Sequence, residues 1–196
     1  PTLSGVSIAS NNATTTLAKA DDVITLTFTS NEAIATPTVT FQSGGAAITD
    51  TSITYTNTSG NTWTAVYTGS SSDSDGAITF SIAFSDLYSN QGTAVTSGSG
   101  SVTFDKTSPT MTITATEVSD GDSSSNSTIT LIFTSSEATT NFVSTDIVVN
   151  GGTLSNFGTI SSTVYTAIFT PSSAGATTIN VAAGVFTDAT GNPNTI

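Results

Sequence analysis

The sequence predicts an all-β protein made of two antiparallel β-sandwiches in tandem. Three observations support this fold class. Apolar residues alternate with Thr and Ser over several short stretches, clusters of Gly, Ser, Asn and Asp separate these stretches, and one long motif occurs twice. No stretch shows a helical periodicity of useful length. A chain of 196 residues is long enough for one or two domains, each with its own core.

The repeat consists of three pairs of motifs that occur in the same order in both halves of the chain. Because the offsets within the pairs differ by only a few residues, the chain is a tandem duplication with short loop insertions. The pairs are "ITLTFTSNEA" (24–33) with "ITLIFTSSEA" (129–138), "TWTAVYT" (62–68) with "TVYTAIFT" (163–170), and "SDLYSNQG" (85–92) with "TDATGNPN" (187–194).

The repeat also predicts the domain boundaries. We expect a first sandwich at residues 1–105, a linker at 106–109 and a second sandwich at 110–196. Pro109 stiffens this linker, because its ring fixes its own φ and biases the preceding residue towards extended backbone.

Seven strands are predicted in the first half. Thr dominates their exposed positions, where its β-branch fits a pleated sheet. Seven strands in about 100 residues is the count of an immunoglobulin-like sandwich, and the short connections cannot hold the crossovers of a parallel sheet. The predicted strands are 3–9, 23–30, 38–42, 48–56, 62–68, 77–84 and 101–105.

The second half is predicted to lack its last strand. In the alignment Ile196 falls opposite Ala94, whereas the last strand of the first half is expected at 101–105. The second sandwich would then expose an unpaired strand edge, which is a template for association. Either the polypeptide continues past Ile196, or another chain donates the strand. The expected partners are therefore neighbouring modules or subunits of the same array or fibre.

Composition excludes several functions. Charged residues make up 8% of the chain, the formal net charge is -12, and Lys19 and Lys106 are the only cations. Such a chain has no basic surface for nucleic acid or for anionic membranes, and no apolar run approaches the length that spans a bilayer. Because the chain begins at Pro1 without an initiator Met, we interpret it as a mature piece or a fragment.

Catalysis finds little support in the sequence. Cys and His are both absent, which removes disulfides, thiolate zinc sites and nucleophiles activated by His. Paired carboxylates could suggest glycoside hydrolysis, but the chain offers no Arg and few exposed aromatic residues to hold a sugar. We therefore predict that the protein is not an enzyme.

Two features could form binding sites. Trp63 could stack on a sugar, but it alternates in phase with Ala65 and Tyr67, so we favour a place in the core and expect only Tyr88 to be exposed. "DSDG" (73–76) and "DGDSSSN" (120–126) resemble the opening of calcium loops. Neither continues to the Glu that such a loop requires, so we interpret both as acidic turns.

The second half resembles bacterial Ig-like repeats, which form long arrays on large surface adhesins and other repetitive cell-surface proteins. The resemblance rests on "FTPSSAG" (169–175), "VAAGVFTDATGN" (181–192) and the linker "DKTSPT" (105–110). It is looser in the first half, where "SDLYSNQG" replaces the usual loop. It implies a sandwich fold, an extracellular or cell-surface location and a spacer or adhesive role, without identifying a ligand.

An interdomain calcium site is the one metal site that we predict. In a sandwich of this topology the first loop, the fifth loop and the end of the last strand share one pole, so acidic residues collect there beside Lys19 and Lys106. Calcium binds such oxygen clusters, and arrays of the bacterial Ig-like repeats that this chain resembles often hold calcium between domains. The alternative is a solvated acidic hinge, screened by salt. The candidate ligands are Asp21, Asp22, Asp73, Asp75, Asp105, Glu137, Asp188 and Asn192.

These observations predict a structural spacer module of an extracellular bacterial surface array, adhesin or filament. The alternative is an adhesive module that binds carbohydrate or protein. A spacer should carry equivalent loops in both halves, whereas a binding module should concentrate exposed aromatic residues in one of them.

Overall fold

The computed structural model describes all residues from 1 to 196 and is all-β, as predicted. The chain divides into two compact units, Pro1–Lys106 (unit 1) and Thr107–Ile196 (unit 2). Each unit has its own hydrophobic core. The single helical segment, the 3-10 turn Ser144–Asp146, is far too short to cross a bilayer, and the structure offers no other candidate.

Unit 1 is a sandwich of two sheets. One sheet has the strand order β1-β3-β7-β6 and the other β2-β9-β8-β4-β5. The strands are β1 (Leu3–Ser10), β2 (Leu17–Ala18), β3 (Val23–Ser30), β4 (Thr38–Ser43), β5 (Ala46–Ala47), β6 (Thr54–Ser59), β7 (Thr62–Thr68), β8 (Gly76–Ala83) and β9 (Thr103–Phe104).

The period-two pattern of β3 explains the centre of this sandwich. Ile24, Leu26 and Phe28 are fully buried, while the Thr residues between them face outwards. The same register aligns these three with the inward face of β7, where Tyr67 and Ala65 are buried. Trp63 continues that face and packs half-buried against the core, in line with the interpretation of its sequence pattern.

Unit 2 repeats the first sheet of unit 1 with the order β10-β11-β14-β13, while its second sheet contains only β12 and β15. No counterpart of β2 or β9 occurs among its strands. The strands are β10 (Met111–Ala115), β11 (Ile129–Ser135), β12 (Ile147–Asn150), β13 (Gly152–Thr159), β14 (Val164–Pro171) and β15 (Thr178–Val181).

Aromatic side chains fill the core of unit 2. Phe142 lies at their centre, and its ring centroid is 5.1 Å from that of Tyr165 and 5.3 Å from that of Phe186, both in edge-to-face geometry. Phe133 on β11 and Phe157 on β13 each lie 5.8 Å from Phe142. Such contacts add to the hydrophobic gain of burial.

The fourth predicted strand of unit 1, at 48–56, exists as β6 (Thr54–Ser59), but its predicted beginning was wrong. Residues 48–53 form no strand, and pairing begins only at Thr54. Side chains remote in sequence divert this segment, because Thr49 donates through its N–H and its hydroxyl to Asp73. Asp50 accepts from the N–H of Ser52 and from that of Thr68, which bends the chain into a turn.

The last strand of unit 1 also differs from the prediction, and it pairs with β2, a strand that was not predicted. β9 is shorter than the expected 101–105 and lies between β8 and the two-residue strand β2. β2 and β9 pair in parallel, with Leu17 opposite Thr103 and Ala18 opposite Phe104, in an otherwise antiparallel sandwich. A parallel pair is possible here because the rest of unit 1 forms the crossover between them.

We predict that Phe133→Ala lowers the stability of unit 2 by about 3 to 5 kcal/mol, because it removes a fully buried ring and leaves a cavity. The measurement is denaturant unfolding of the whole chain, with fluorescence and circular dichroism as probes. Tyr88→Ala, which truncates an exposed ring, is the control and should change stability by no more than about 0.5 kcal/mol. Similar losses in both variants would contradict the assignment of Phe133 to the core.

Candidate functional site

The loop that follows β8 in unit 1 is built around Asp86. This side chain is buried, and its Oδ1 accepts the backbone N–H groups of Tyr88 and Asn90 at 2.9 Å each. Its Oδ2 accepts the side-chain amide of Asn90 at 2.7 Å. Asp86 therefore fixes the loop from inside by satisfying donors that the turn leaves without a strand partner.

The matching loop of unit 2 has the same construction around Asp188. Its Oδ1 accepts the backbone N–H groups of Thr190, Gly191 and Asn192 at 2.7 to 2.9 Å. Its Oδ2 accepts the side-chain amide of Asn192 at 2.8 Å. We call this arrangement the Asp–Asn latch, defined by Asp86 and Asn90 in unit 1 and by Asp188 and Asn192 in unit 2.

Each latch also ties its loop to another loop of the same unit. Asp86 forms a β-bridge with Ile34, and Asp188 forms one with Thr139. The sequence alignment had paired these aspartates but could not show their role. The sequence signal for this role is the shared Asp-x-x-x-Asn spacing, because it lets the side-chain amide of the Asn donate back to the carboxylate of the Asp.

These hydrogen bonds hold Asp86 in its charged form. The side-chain amide of Asn90, and then the backbone N–H of Asn90, keep the pKa of Asp86 below its ordinary value of 3.8. In unit 2, Asp188 Oδ1 already has three donors, so this predicted calcium ligand has a structural task within its own loop.

Asp73 is a third internal anchor, and it is only 1% exposed. Its Oδ1 accepts the N–H and the hydroxyl of Thr49 at 2.8 and 2.7 Å, and its Oδ2 accepts the N–H of Ser70 at 3.0 Å. The buried hydroxyl of Tyr67 has no hydrogen-bond partner. The pKa of Tyr67 is raised above its ordinary value, mainly by burial and to a lesser extent by the negative charge of Asp73.

The other predicted calcium ligands of unit 1 lie on loops that contact one another at one pole. Asp22 Oδ2 accepts the side-chain amide of Asn12 and the backbone N–H of Lys19, both at 2.8 Å. Asp75 Oδ1 accepts the backbone N–H of Lys106 at 2.8 Å.

Two backbone contacts complete this pole. The N–H of Asp21 donates to the carbonyl of Gly69 at 2.9 Å, and that of Asp105 donates to the carbonyl of Ala18 at 2.8 Å. The predicted ligands of unit 1 thus share a pole, yet no three of their carboxylates come within 4.8 Å of one another inside this unit. In unit 2, the N–H of Glu137 donates to the hydroxyl of Ser135, and its side chain is half-exposed. The interdomain calcium site stays a prediction.

The two latched loops present different side chains to solvent. In unit 1 Leu87 and Tyr88 are 67% and 89% exposed, which confirms the expectation for Tyr88. The equivalent residues of unit 2 are Ala189, which is exposed but small, and Thr190, which is buried. Sequence reasoning missed Leu87, whose exposure depends on the turn that Asp86 imposes.

Two surface depressions have volumes of about 310 and 340 Å³, and both are open to solvent. The first is lined mainly by Thr, Ser and Gln side chains of β4 and β8, and the second by residues 115–119 and 122–123. Neither has the enclosed, largely apolar form of a small-molecule site.

A protein-family model described as a bacterial Ig-like domain matches residues 105–196. This match confirms the resemblance that the sequence predicted for the second half. Bacterial Ig-like domains are commonly extracellular or surface-associated modules and are typically not enzymes. No curated protein matches the chain.

We predict that the stability of unit 1 falls as the pH drops below about 3.8, because the folded-state pKa of Asp86 lies below its unfolded value. The latch contributes its full stability above the unfolded pKa and loses it as the pH falls through the folded pKa. Melting curves from pH 5 to pH 2 measure this. Asp86→Asn should reduce the acid sensitivity only in part, because hydrogen bonds from Thr68 and Ser52 lower the pKa of Asp50 as well.

Asp120→Asn is the matched control for this experiment. It changes an exposed aspartate of unit 2 and should leave the acid transition of unit 1 as in the wild type. An unchanged acid sensitivity in Asp86→Asn would show that the latch carboxylate does not contribute to the pH dependence.

Proposed function

We propose that this chain is a structural spacer of an extracellular bacterial surface array, adhesin or filament. The family match for the second half supports a surface-associated module, and the repeat supports serial use of one scaffold. The observation that carries the proposal is the parallel contact between the first and last segments of unit 1. Ser7 pairs with Ser99, Leu17 with Thr103 and Ala18 with Phe104.

Parallel pairing of the first and last segments of unit 1 has a direct mechanical consequence. The chain enters unit 1 at one pole and leaves it at the other, which suits modules strung end to end. A force that pulls the two ends apart loads the hydrogen bonds between these strands in shear, so that several bonds must break together. The N–H of Thr103 donates to Thr16, and the N–H of Asp105 donates to Ala18, across this contact.

The first residues of both units are held by the same kind of reciprocal hydrogen bonds. In unit 1 the N–H of Thr2 donates to Asn31 Oδ1, and the N–H of Asn31 donates back to the carbonyl of Thr2. In unit 2 the N–H of Thr110 donates to the Ser136 hydroxyl, and the N–H of Ser136 donates back to Thr110. Together with the two Asp–Asn latches, these equivalent loops favour the spacer over a module specialised in one half.

A binding role is the second candidate, and the exposed pair Leu87 and Tyr88 favours it. A latched loop holds this pair in solvent, and a rigid exposed aromatic residue is a common anchor for carbohydrate or protein partners. The equivalent loop of unit 2 lacks both side chains. This asymmetry is the feature expected of an adhesive module.

We predict that Thr103→Pro lowers the force at which unit 1 unfolds, because proline removes the N–H that donates to Thr16 across the parallel contact. A lost hydrogen bond of about 1 to 3 kcal/mol corresponds to a rise in the unfolding rate of roughly 5-fold to 150-fold. Single-molecule force spectroscopy on the whole chain measures it. Thr103→Val keeps the N–H and the shape of the side chain, and it should behave as the wild type. Equal unfolding forces in all three proteins would remove the main support for the spacer.

We predict that the double substitution Leu87→Ala and Tyr88→Thr, which copies the unit 2 loop, leaves the fold intact because both side chains are exposed. If the adhesive role is correct, binding of the wild type to glycan arrays or host-cell surfaces falls at least tenfold in this variant. Val148→Thr, at another exposed apolar position, is the control. If the wild type does not bind, or if all variants bind equally, the adhesive role is contradicted and the spacer role remains as the only candidate.

A further inference from the structure

The outer edge of β6 (Thr54–Ser59) carries no neighbouring strand. In the four-stranded sheet of unit 1, β6 lies at the end of the strand order and pairs with β7 alone. No residue of β6 forms a backbone hydrogen bond outside that pairing. The N–H and C=O groups along the other side of β6 are therefore available to a further strand.

Two comparable edges are protected. The segment before β9 covers the outer side of β1, because the N–H of Ile8 donates to the carbonyl of Ser99 and the N–H of Ser99 donates to the carbonyl of Val6. In unit 2, β13 takes the place of β6, and a bulge interrupts it in the middle, where Asn156 has a φ of 51°. Covering segments and bulges are two means by which proteins prevent edge-to-edge pairing.

The β6 edge lacks these protections. Its one irregularity is at Thr58, next to the hairpin turn, and its pairing with β7 is regular from Thr54 to Asn57. Residues 51–72, which contain β6, the turn and β7, include no charged residue and no proline. The chain as a whole has a net charge of -12, yet two copies that meet through this hairpin bring none of its side chains into charge repulsion.

The side chains beside the edge restrict the choice of partner. On the core side, Tyr55 is half-buried and its hydroxyl accepts the N–H of Val39 at 2.8 Å, so the ring occupies the place where a foreign apolar side chain would insert. Pockets of that kind supply specificity when an extended peptide adds to a sheet. On the solvent side, the edge offers Thr54 and Thr56, which are both exposed. A strand with small hydroxyl side chains at alternate positions fits this edge, and β6 is itself such a strand.

The alternation along β6 determines how two copies can pair. Thr54 and Thr56 point to the solvent face, and Tyr55 between them packs against the core. Because opposite residues of an antiparallel pair point to the same face, a twofold axis must pass through a residue and not between two residues. An axis at Tyr55 would set two rings against each other. An axis at Thr56 sets Thr56 opposite its own copy and Tyr55 opposite the smaller Asn57.

We propose that the β6 edges of two copies of this chain pair antiparallel about a twofold axis at Thr56. The two four-stranded sheets then form one eight-stranded sheet across the dimer. The shared ladder is short, so a single contact is weak, but copies tethered side by side reach a high effective concentration. This contact would add lateral cohesion to the spacer role. The pairing itself does not depend on that role, because it requires only the β6 edge.

Cysteine trapping tests the position of the axis, because the chain has no cysteine of its own. Thr56→Cys places two thiols at opposite positions of the pair, where Cα atoms are about 4.5 to 5.5 Å apart and within reach of a disulfide. Thr54→Cys is the matched control, since its two copies lie about 13 Å apart along the strands. In a glutathione redox buffer, whole-chain Thr56→Cys should form the linked dimer at least about tenfold faster than Thr54→Cys. Equal rates would overturn the proposed pairing.

A charge substitution tests the same contact without a disulfide. In sedimentation equilibrium the wild type should dimerise with a dissociation constant of about 1 mM. Thr56→Lys should abolish the dimer, because it places two ammonium groups opposite each other. Thr112→Lys, at an exposed position of β10, changes the net charge equally and should dimerise like the wild type. A wild type that stays monomeric at millimolar concentration, or a dimer that persists in Thr56→Lys, would contradict the proposal.

Discussion

The alternation of apolar and hydroxyl residues along two central strands is the constraint on which both units depend. In unit 1, Leu26 and Phe28 point into the core while Thr25 and Thr27 face solvent, and β11 repeats this arrangement in unit 2. A shift by one residue would turn the apolar face outwards, so the register of the neighbouring strands is strongly specified.

This alternation is also why the sequence predicts some elements well. The predicted bounds of β3 and β7 agree with the structure at both ends, since their partners and their pattern are local and regular. The segment at 48–53 was mispredicted because Asp73 and Thr68 lie about 20 residues away and their contacts with Thr49 and Asp50 leave no local signal. The equivalence of Asp86 and Asp188 was visible from spacing, whereas the direction of their carboxylates depends on the folded turn.

The repeat makes each unit a reference for the other. Where the two agree, as in the Asp–Asn latches, the shared geometry belongs to the scaffold. Where they differ, the difference belongs to one unit: the exposed side chains of Leu87 and Tyr88 occur on the latched loop of unit 1 alone. Functions specific to one unit must depend on such differences, because the scaffold itself is common to both.

Backbone hydrogen bonds stabilise the carboxylates of this acidic chain without the need for cations. With 14 acidic and only two basic residues, the chain cannot neutralise its carboxylates by ion pairs. Backbone N–H groups take that task instead. Asp73, Asp86 and Asp188 each accept at least two backbone N–H groups. In unit 2, Glu117 accepts both the N–H and the hydroxyl of Thr130. A hydrogen bond to a charged acceptor is stronger than one between neutral groups, so these aspartates organise loops that contain few apolar residues.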